Sequence, residues 1–222
     1  NTCLQIITVD DSTPPTITDC PANVTIECDE TTDPGNTGLA SATDNCDTAP
    51  VVTYSDLTLE GGCPQEYTIT RTWLATDACG NSSTCSQIIT VDDSTPPTIT
   101  TCAANITVEC DESTDPSNTG LSSATDNCDV APVVTYSDVT LAGGCPQEYT
   151  ITRTWTATDA CGNGTNCTQV ITVDDSTPPT ITTCAADITI ECDESTDPGN
   201  TGLSSATDNC DTAPVVTYDD SV

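Results

Sequence analysis

Histidine, phenylalanine and methionine are absent from this 222-residue chain, and only Arg71 and Arg153 carry positive charge. Without histidine, serine-type and thiol-type catalysis lack their usual base, and zinc lacks one of its commonest ligands. Paired carboxylates could in principle hydrolyse glycosides, but there are no aromatic subsites to hold a sugar, so the expectation is a protein that is not an enzyme. The 35 acids against two bases give a formal charge of -33, which repels nucleic acid and anionic lipid. No run approaches the roughly 18 apolar residues of a spanning helix, so no membrane insertion is expected in this segment. A secretory leader is also not visible. Two Trp and five Tyr are the only aromatics, which limits any hydrophobic core. Strong acidity with few aromatics can mark disorder, but the cysteines and the alternating apolar pattern described next argue against it.

What the chain does have is repetition. TVDDSTPPTIT begins at Thr8, Thr90 and Thr172, a period of 82 residues. Residues 12 to 81 and 94 to 163 agree at roughly five positions in six, and many of the differences are mild, such as Val24 against Ile106. The expected organisation is a partial repeat over 1–11, whole repeats over 12–93 and 94–175, and a further partial repeat over 176–222, all within a longer chain.

Each whole repeat carries six cysteines: Cys20, Cys28, Cys46, Cys63, Cys79 and Cys85, then Cys102, Cys110, Cys128, Cys145, Cys161 and Cys167. An even number at fixed spacing reads as a disulfide framework, which can hold a repeat this small and this poor in apolar residues. Zinc is the other use of many cysteines, but paired CxxC knuckles are missing. Three disulfides per repeat imply an oxidising compartment: secreted, extracellular, periplasmic or cell-surface.

Short strand-like runs alternate with turn residues throughout, so the expected class is all-β, a small Greek-key sandwich of six or seven strands per repeat. In YTITRTWTATD, Tyr149, Ile151, Arg153, Trp155 and Ala157 share the inward face while a row of Thr from Thr150 to Thr158 faces out. An inward Arg needs a carboxylate and an aromatic face; Glu109 or Asp138 can serve Arg153, and Glu27 or Asp56 can serve Arg71. Six cysteines allow 15 pairings; the one that sandwich topology favours sets Cys46 in the B-C loop against Cys79 in the F-G loop, and Cys28 at a strand end against Cys63. Cys20 then joins Cys85. The second repeat closes in the same way as Cys102 to Cys167, Cys110 to Cys145 and Cys128 to Cys161. This leaves Cys3, Cys184, Cys192 and Cys210 unpaired within the chain, with partners expected in a longer chain or in another subunit.

The ordered motifs DDSTPPTIT, CPANVTIEC, ATDNCD, YTITRTWLATDACGN and CSQIITVDD resemble the hyalin-repeat (HYR) domain and its cysteine-rich relatives in large surface proteins of Bacteroidota. The resemblance covers the whole chain. It implies immunoglobulin-like sandwiches used in tandem in extracellular adhesion and matrix proteins, with no catalytic residues. The simplest hyalin repeats have one cysteine pair where this chain has three.

Acids gather where one repeat passes into the next. Asp92 and Asp93 lie in the linker, with Asp126 and Asp129 expected from the following B-C loop and Asp159 and Asn163 from its F-G loop. The equivalent sets are Asp10, Asp11, Asp44, Asp47, Asp77 and Asn81, then Asp174, Asp175, Asp208 and Asp211. Oxygen-only ligands suit Ca²⁺ as a structural ion; ordinary polar turns are the alternative, with Pro14, Pro96 and Pro178 stiffening the linker. A second acidic set, Glu109, Asp111, Glu112 and Asp115, reads as a solvated loop. The expected function is a structural one: an extracellular filament or the stalk of a giant adhesin, whose partners are neighbouring repeats or copies of the same protein. The alternative is that the repeats themselves bind a glycan, ice or a partner cell surface.

Overall fold

The computed structural model describes residues 3–219; the outermost residues of the two expected partial repeats, 1–2 and 220–222, lie outside it. β-strands dominate, as the alternating pattern requires. The first repeat folds as β1 (Thr16–Asp19), β2 (Val24–Glu27), a single turn α1 (Pro34–Thr37), β3 (Ser41–Thr43), β4 (Val51–Glu60), β5 (Tyr67–Thr76) and β6 (Ser82–Asp92). The second gives β7 (Thr98–Thr101), β8 (Ile106–Glu109), α2 (Pro116–Thr119), β9 (Ser123–Thr125), β10 (Val133–Ala142), β11 (Tyr149–Thr158) and β12 (Gly164–Asp174). After these come β13 (Thr180–Thr183), α3 (Pro198–Thr201) and β14 (Ser205–Thr207). The chain is thus all-β, built as tandem immunoglobulin-like sandwiches.

In each whole repeat a two-stranded sheet, β1-β3 or β7-β9, accompanies a four-stranded one, β2-β6-β5-β4 or β8-β12-β11-β10. All pairings in the first four-stranded sheet are antiparallel except β2 with β6, which run parallel and finish together at Glu27 and Asp92. The short turns α1 and α2 begin with Pro at the first helical position, where a missing N–H costs nothing, and stop at Gly38 and Gly120, whose φ of 109° and 106° suit glycine.

By Cα proximity the chain divides into two compact units. One holds residues 3–98 with Ala124–Val133 and Ala157–Thr165; the other holds Ile99–Ser123, Val134–Thr156 and residues 166–219. The first unit therefore takes in two loops from the second repeat, those that carry Asp126, Cys128, Asp159 and Cys161.

The inward face of the first sheet is a set of cross-strand rows. Asp56, Arg71 and Gln87 align across β4, β5 and β6; Tyr54, Trp73 and Cys85 form the next row; Ile69 and Ile89 follow. One apolar cluster holds Ile26, Ile69, Ile89 and Val91, edged by Val24, Cys28 and Tyr67, and Trp73 and Ala75 are buried farther along β5. Arg71 is 1% exposed. It donates Nε and Nη2 to the two oxygens of Asp56 at 2.9 and 2.8 Å, Nη1 to Thr37 Oγ1 at 2.9 Å, and Nη2 also to Thr32 O at 2.9 Å. Its guanidinium lies 4.4 Å from the Tyr54 ring centre. Arg153 repeats this with Asp138, Thr119, Thr114 and Tyr136. Of the two carboxylates open to each Arg, the cross-strand one is used, because Asp56 sits directly opposite Arg71 in register whereas Glu27 ends an edge strand two positions away in the sheet.

Cys20–Cys85 and Cys102–Cys167 bridge as expected, with Cα atoms 6.3 Å apart in both. Each closes a loop of 65 residues, worth about 4 kcal/mol on loop entropy. The other pairings differ from expectation. Cys28 joins Cys128, Cys63 joins Cys161 and Cys110 joins Cys210. Cys28–Cys63, Cys46–Cys79, Cys110–Cys145 and Cys128–Cys161 do not form, and Cys210, expected to be unpaired, is bonded. The reason is geometric. Cys28 follows the end of β2 and Cys63 precedes β5, so both stand at the end of the sheet where Asp92 leaves for the next repeat; the nearest cysteines there are the following repeat's B-C and F-G loop residues. Two bonds of the expected three per repeat thus run from one repeat to the next. Cys46, Cys79 and Cys145, along with the expected Cys3, Cys184 and Cys192, are unpaired and exposed among the described residues.

The buried Arg gives a test. Asp56→Ala strands the Arg71 charge and should cost about 3 kcal/mol in urea unfolding. The double change Asp56→Leu with Arg71→Met should cost much less, since no uncompensated charge is left.

Candidate metal centre

The loops that supply the centre fold around their own carboxylates. In Asp126-Asn127-Cys128-Asp129, Asp126 Oδ1 accepts the N–H groups of Cys128 and Asp129 at 2.9 and 2.8 Å, an Asx-type turn. In the F-G loop, Asp159 Oδ1 accepts the N–H groups of Cys161 and Asn163 at 2.9 and 2.8 Å, while Oδ2 accepts from Asn163 Nδ2 at 2.9 Å. Asn163 Nδ2 also donates to the linker carbonyl of Asp93 at 2.7 Å, which ties the linker to this loop. Asp44, Asp77, Asn81 and Asp11 repeat the scheme one period earlier.

These turns bring one oxygen from each of Asp93, Asp126 and Asp159 within 4.8 Å of the others, and do the same for Asp11, Asp44 and Asp77. Asp93 is 3% exposed, and neither of its carboxylate oxygens has a hydrogen-bond partner among the described residues. Asp126 Oδ2 and Asp44 Oδ2 are likewise buried and unpartnered. Burial, and then the nearby charges of Asp159, Asp126 and Glu27, push Asp93 above the ordinary aspartate range. Asp159 moves down: burial acts to raise it, but the donors from Asn163, Gly162 and Cys161 outweigh that. Asp44 is also held low, by the N–H groups of Asp47 and Cys46.

A buried carboxylate with no hydrogen bond of normal geometry, and only the Thr95 N–H nearby to oppose three acidic neighbours, needs a cation or a proton. The chain has no cation to spare, since Arg71 and Arg153 are held by Asp56 and Asp138. The donors are all oxygen: Cys128, which shares a group with Glu27 and Asp93, is in a disulfide and offers no thiolate. Such a hard, oxygen-only set fits Ca²⁺.

The remaining predicted residues take other places. Asp47 and Asp129 have both oxygens engaged, Oδ1 by the Ala49 or Ala131 N–H and Oδ2 by the Ala78 or Ala160 N–H, so they latch the B-C loop to the F-G loop. Asp211 Oδ1 accepts from Ala213. Asn81 and Asn163 turn their NH₂ groups inward as positioning donors. Asp10 stands exposed, while Asp92 and Asp174 end β6 and β12 opposite Glu27 and Glu109, outside the carboxylate groups. Asp175 and Asp208 face each other, with Asp175 raised by burial and then by Asp208.

The sequence offers Glu27 and Glu109 as partners for the inward Arg residues, not as neighbours of the linker carboxylates. Glu109 was read as part of a solvated loop, yet it groups with Asp175 and Cys210, as Glu27 does with Asp93 and Cys128. Glu27 Oε1 also accepts from Ser94 Oγ in the linker. No sequence pattern marks this position: it follows from the parallel pairing of β2 with β6, which ends β2 where the linker begins.

No protein-family model and no curated protein sequence matches the chain. Among solved structures it is similar to extracellular domains EC1-2 of human mucin-like protocadherin, with 12% identity and a TM-score of 0.30 over 73% of this chain and 98% of that one. It is similar to Drosophila N-cadherin EC1-4 at 11% identity and a TM-score of 0.31, over 73% of this chain and 50% of that one. The N-terminal Ig1-2 module of the Drosophila receptor protein tyrosine phosphatase DLAR matches at 13% identity and a TM-score of 0.25, over 73% and 100%. At these scores none of the three bears on chemistry.

Proposed function

We propose that this chain is a structural array of 82-residue repeats, bounded at 12–93 and 94–175 with partial repeats on either side, ordered by Ca²⁺ where one repeat passes into the next. The observation that carries the reading is Asp93, buried with both oxygens unpartnered among carboxylates drawn from two successive repeats. The chemistry-bearing residues recur at the steps between repeats, which is where a scaffold needs them and where an enzyme or a receptor pocket does not. Disulfides fit an oxidising, extracellular or cell-surface setting. No helix among the described residues is long and apolar enough to cross a membrane. The role that follows is a filament, or the stalk of a large hyalin-repeat adhesin of the Bacteroidota kind, which holds a tip away from the cell while binding is done elsewhere. Electron microscopy of the native material tests this directly: the reading requires thin, regularly beaded fibres.

Calcium at a hundredfold excess over its Kd stabilises a folded state by about 2.7 kcal/mol per site. Melting temperature should therefore rise by several degrees in millimolar Ca²⁺ and fall on chelation, with small-angle scattering broadening as the array loosens. Unchanged melting and scattering would sink the calcium assignment.

Asp93→Asn should act with opposite signs in the two conditions. It removes an uncompensated charge, so the chelated variant should melt above the chelated parent, while its gain from Ca²⁺ should shrink. The pH dependence follows from the raised Asp93 carboxyl. In chelator, its folded pKa lies above the unfolded value of 3.8, so the folded state binds the proton more tightly. Ionisation destabilises it as pH rises through the folded value, and the penalty vanishes below 3.8. Melting curves with chelator across the acid range should show this for the parent and not for Asp93→Asn.

A further inference from the structure

Each four-stranded sheet has one edge that nothing guards. β4 and β10 are terminal in their sheets and ten residues long, so one side of each strand presents a row of backbone N–H and C=O groups with no strand beside it. Proteins blunt such an edge with a short strand, a bulge, a proline or a charge. The other edges of the whole repeats have these devices. β2 and β8 are four residues long and end in Glu27 and Glu109, β3 and β9 are three residues long, and β1 carries a register shift between Ile17 and Asp19. β4 has none until its last residue: it pairs with β5 in unbroken register from Val51 to Glu60, and Pro50 stands just before it. Asp56 and Asp138 are neutralised by Arg71 and Arg153. Glu60 is the one other charge on the two strands, and β10 has Ala142 in its place. Both strands also bare apolar side chains: Leu57 and Leu59 are each 73% exposed, and Val139 and Leu141 repeat them. The β5 row behind is uncharged as well, with Thr70 opposite Leu57 and Thr68 opposite Leu59.

We propose that these edges pair laterally with the same edges of a second copy of this chain, so that each four-stranded sheet continues across the contact. Charge selects this occupant. Two chains of formal charge -33 repel over most of their surface, and a neutral edge is where they can close without bringing acids together. A basic partner gains nothing from an edge without charge, and is drawn to the acidic loops instead. An edge that meets its own copy running antiparallel gives and receives the same backbone bonds, so the contact needs no second sequence. The exposed Leu and Val side chains of the two copies then cover one another as cross-strand neighbours.

This inference goes beyond the array reading and rests on the sheet edge and its charge, not on calcium. The test is sedimentation velocity on the 222-residue chain, its free thiols alkylated so that no disulfide forms between copies, run in chelator and again in Ca²⁺. Dimers and larger species should grow with protein concentration. They should also grow severalfold between about 0.1 M and about 1 M NaCl, as the screening length falls from roughly 10 Å to roughly 3 Å. Hydrogen exchange in concentrated samples should slow at β4 and β10 and not at β2 and β8. Leu57→Glu, Leu59→Glu, Val139→Glu and Leu141→Glu together should weaken association about tenfold or more, with circular dichroism unchanged because all four side chains are exposed. Leu39→Glu, Leu121→Glu, Val130→Glu and Leu203→Glu, at exposed sites off these strands, add the same charge and should leave most of the association. A chain that stays monomeric, an association that weakens with salt, or one that survives the four changes on β4 and β10 overturns the proposal. So does a monomer whose β4 and β10 amides slow only with added chitohexaose, which makes a glycan the occupant. Any of these with the melting response to Ca²⁺ intact leaves the calcium reading standing, and lateral pairing without that response fails the calcium reading alone.

Discussion

Both guanidinium groups of this chain are buried in sheets, each clamped by a single aspartate and laid over a tyrosine. Every other carboxylate must therefore be neutralised by something that is not part of the protein, or be left in water. Most are left in water. The exceptions stand where repeats meet, because folding the Asx turns of the B-C and F-G loops puts Asp126 and Asp159 around a linker Asp93 that is only 3% exposed. That conflict shapes the rest: the loops, the short linker and the position of Glu27 all converge on a pocket of charge that the polypeptide creates and cannot resolve alone.

The same scarcity explains the interior. With four aliphatic side chains as the buried cluster, a repeat has little to gain from apolar burial, and polar rows take over the work of specifying register. Asp56, Arg71 and Gln87 lie abreast across three strands, and Gln87 Nε2 donates to two backbone carbonyls, Ala22 just before β2 and Thr37 at the end of α1, at 2.9 and 2.6 Å. A strand slipped by one residue would turn one of Asp56 and Arg71 to the other face and leave its partner unpaired inside, which is expensive in a low-dielectric interior. One within-repeat disulfide, Cys20–Cys85, then ties the two layers together.

Much of this was legible in the residues. Strand positions follow from alternation, the need of each inward Arg for a carboxylate from its burial, and the gathering of acids near each linker from their spacing. The error was in assuming that a repeat closes on itself. Topology assigned Cys28 and Cys63 to one end and Cys46 and Cys79 to the other, but a period of 82 residues sets the end of each repeat against the start of its successor, so partners of equal merit lay one period on. The place of Glu27 beside the linker was missed for the same reason. A single repeat's sequence holds no sign of what its neighbour places beside it, and only the parallel pairing of β2 with β6 fixes that.

The bonds Cys28–Cys128 and Cys63–Cys161 have a consequence for durability. Between the end of β6 at Asp92 and the start of β7 at Thr98 the connector has no strand pairing and exposes Ser94, Thr95 and Pro96, where a protease can reach it. Here a cut does not part the strand. One repeat is joined to the next by three covalent paths, two of them through sulfur, so parting them takes both hydrolysis and reduction at the same step.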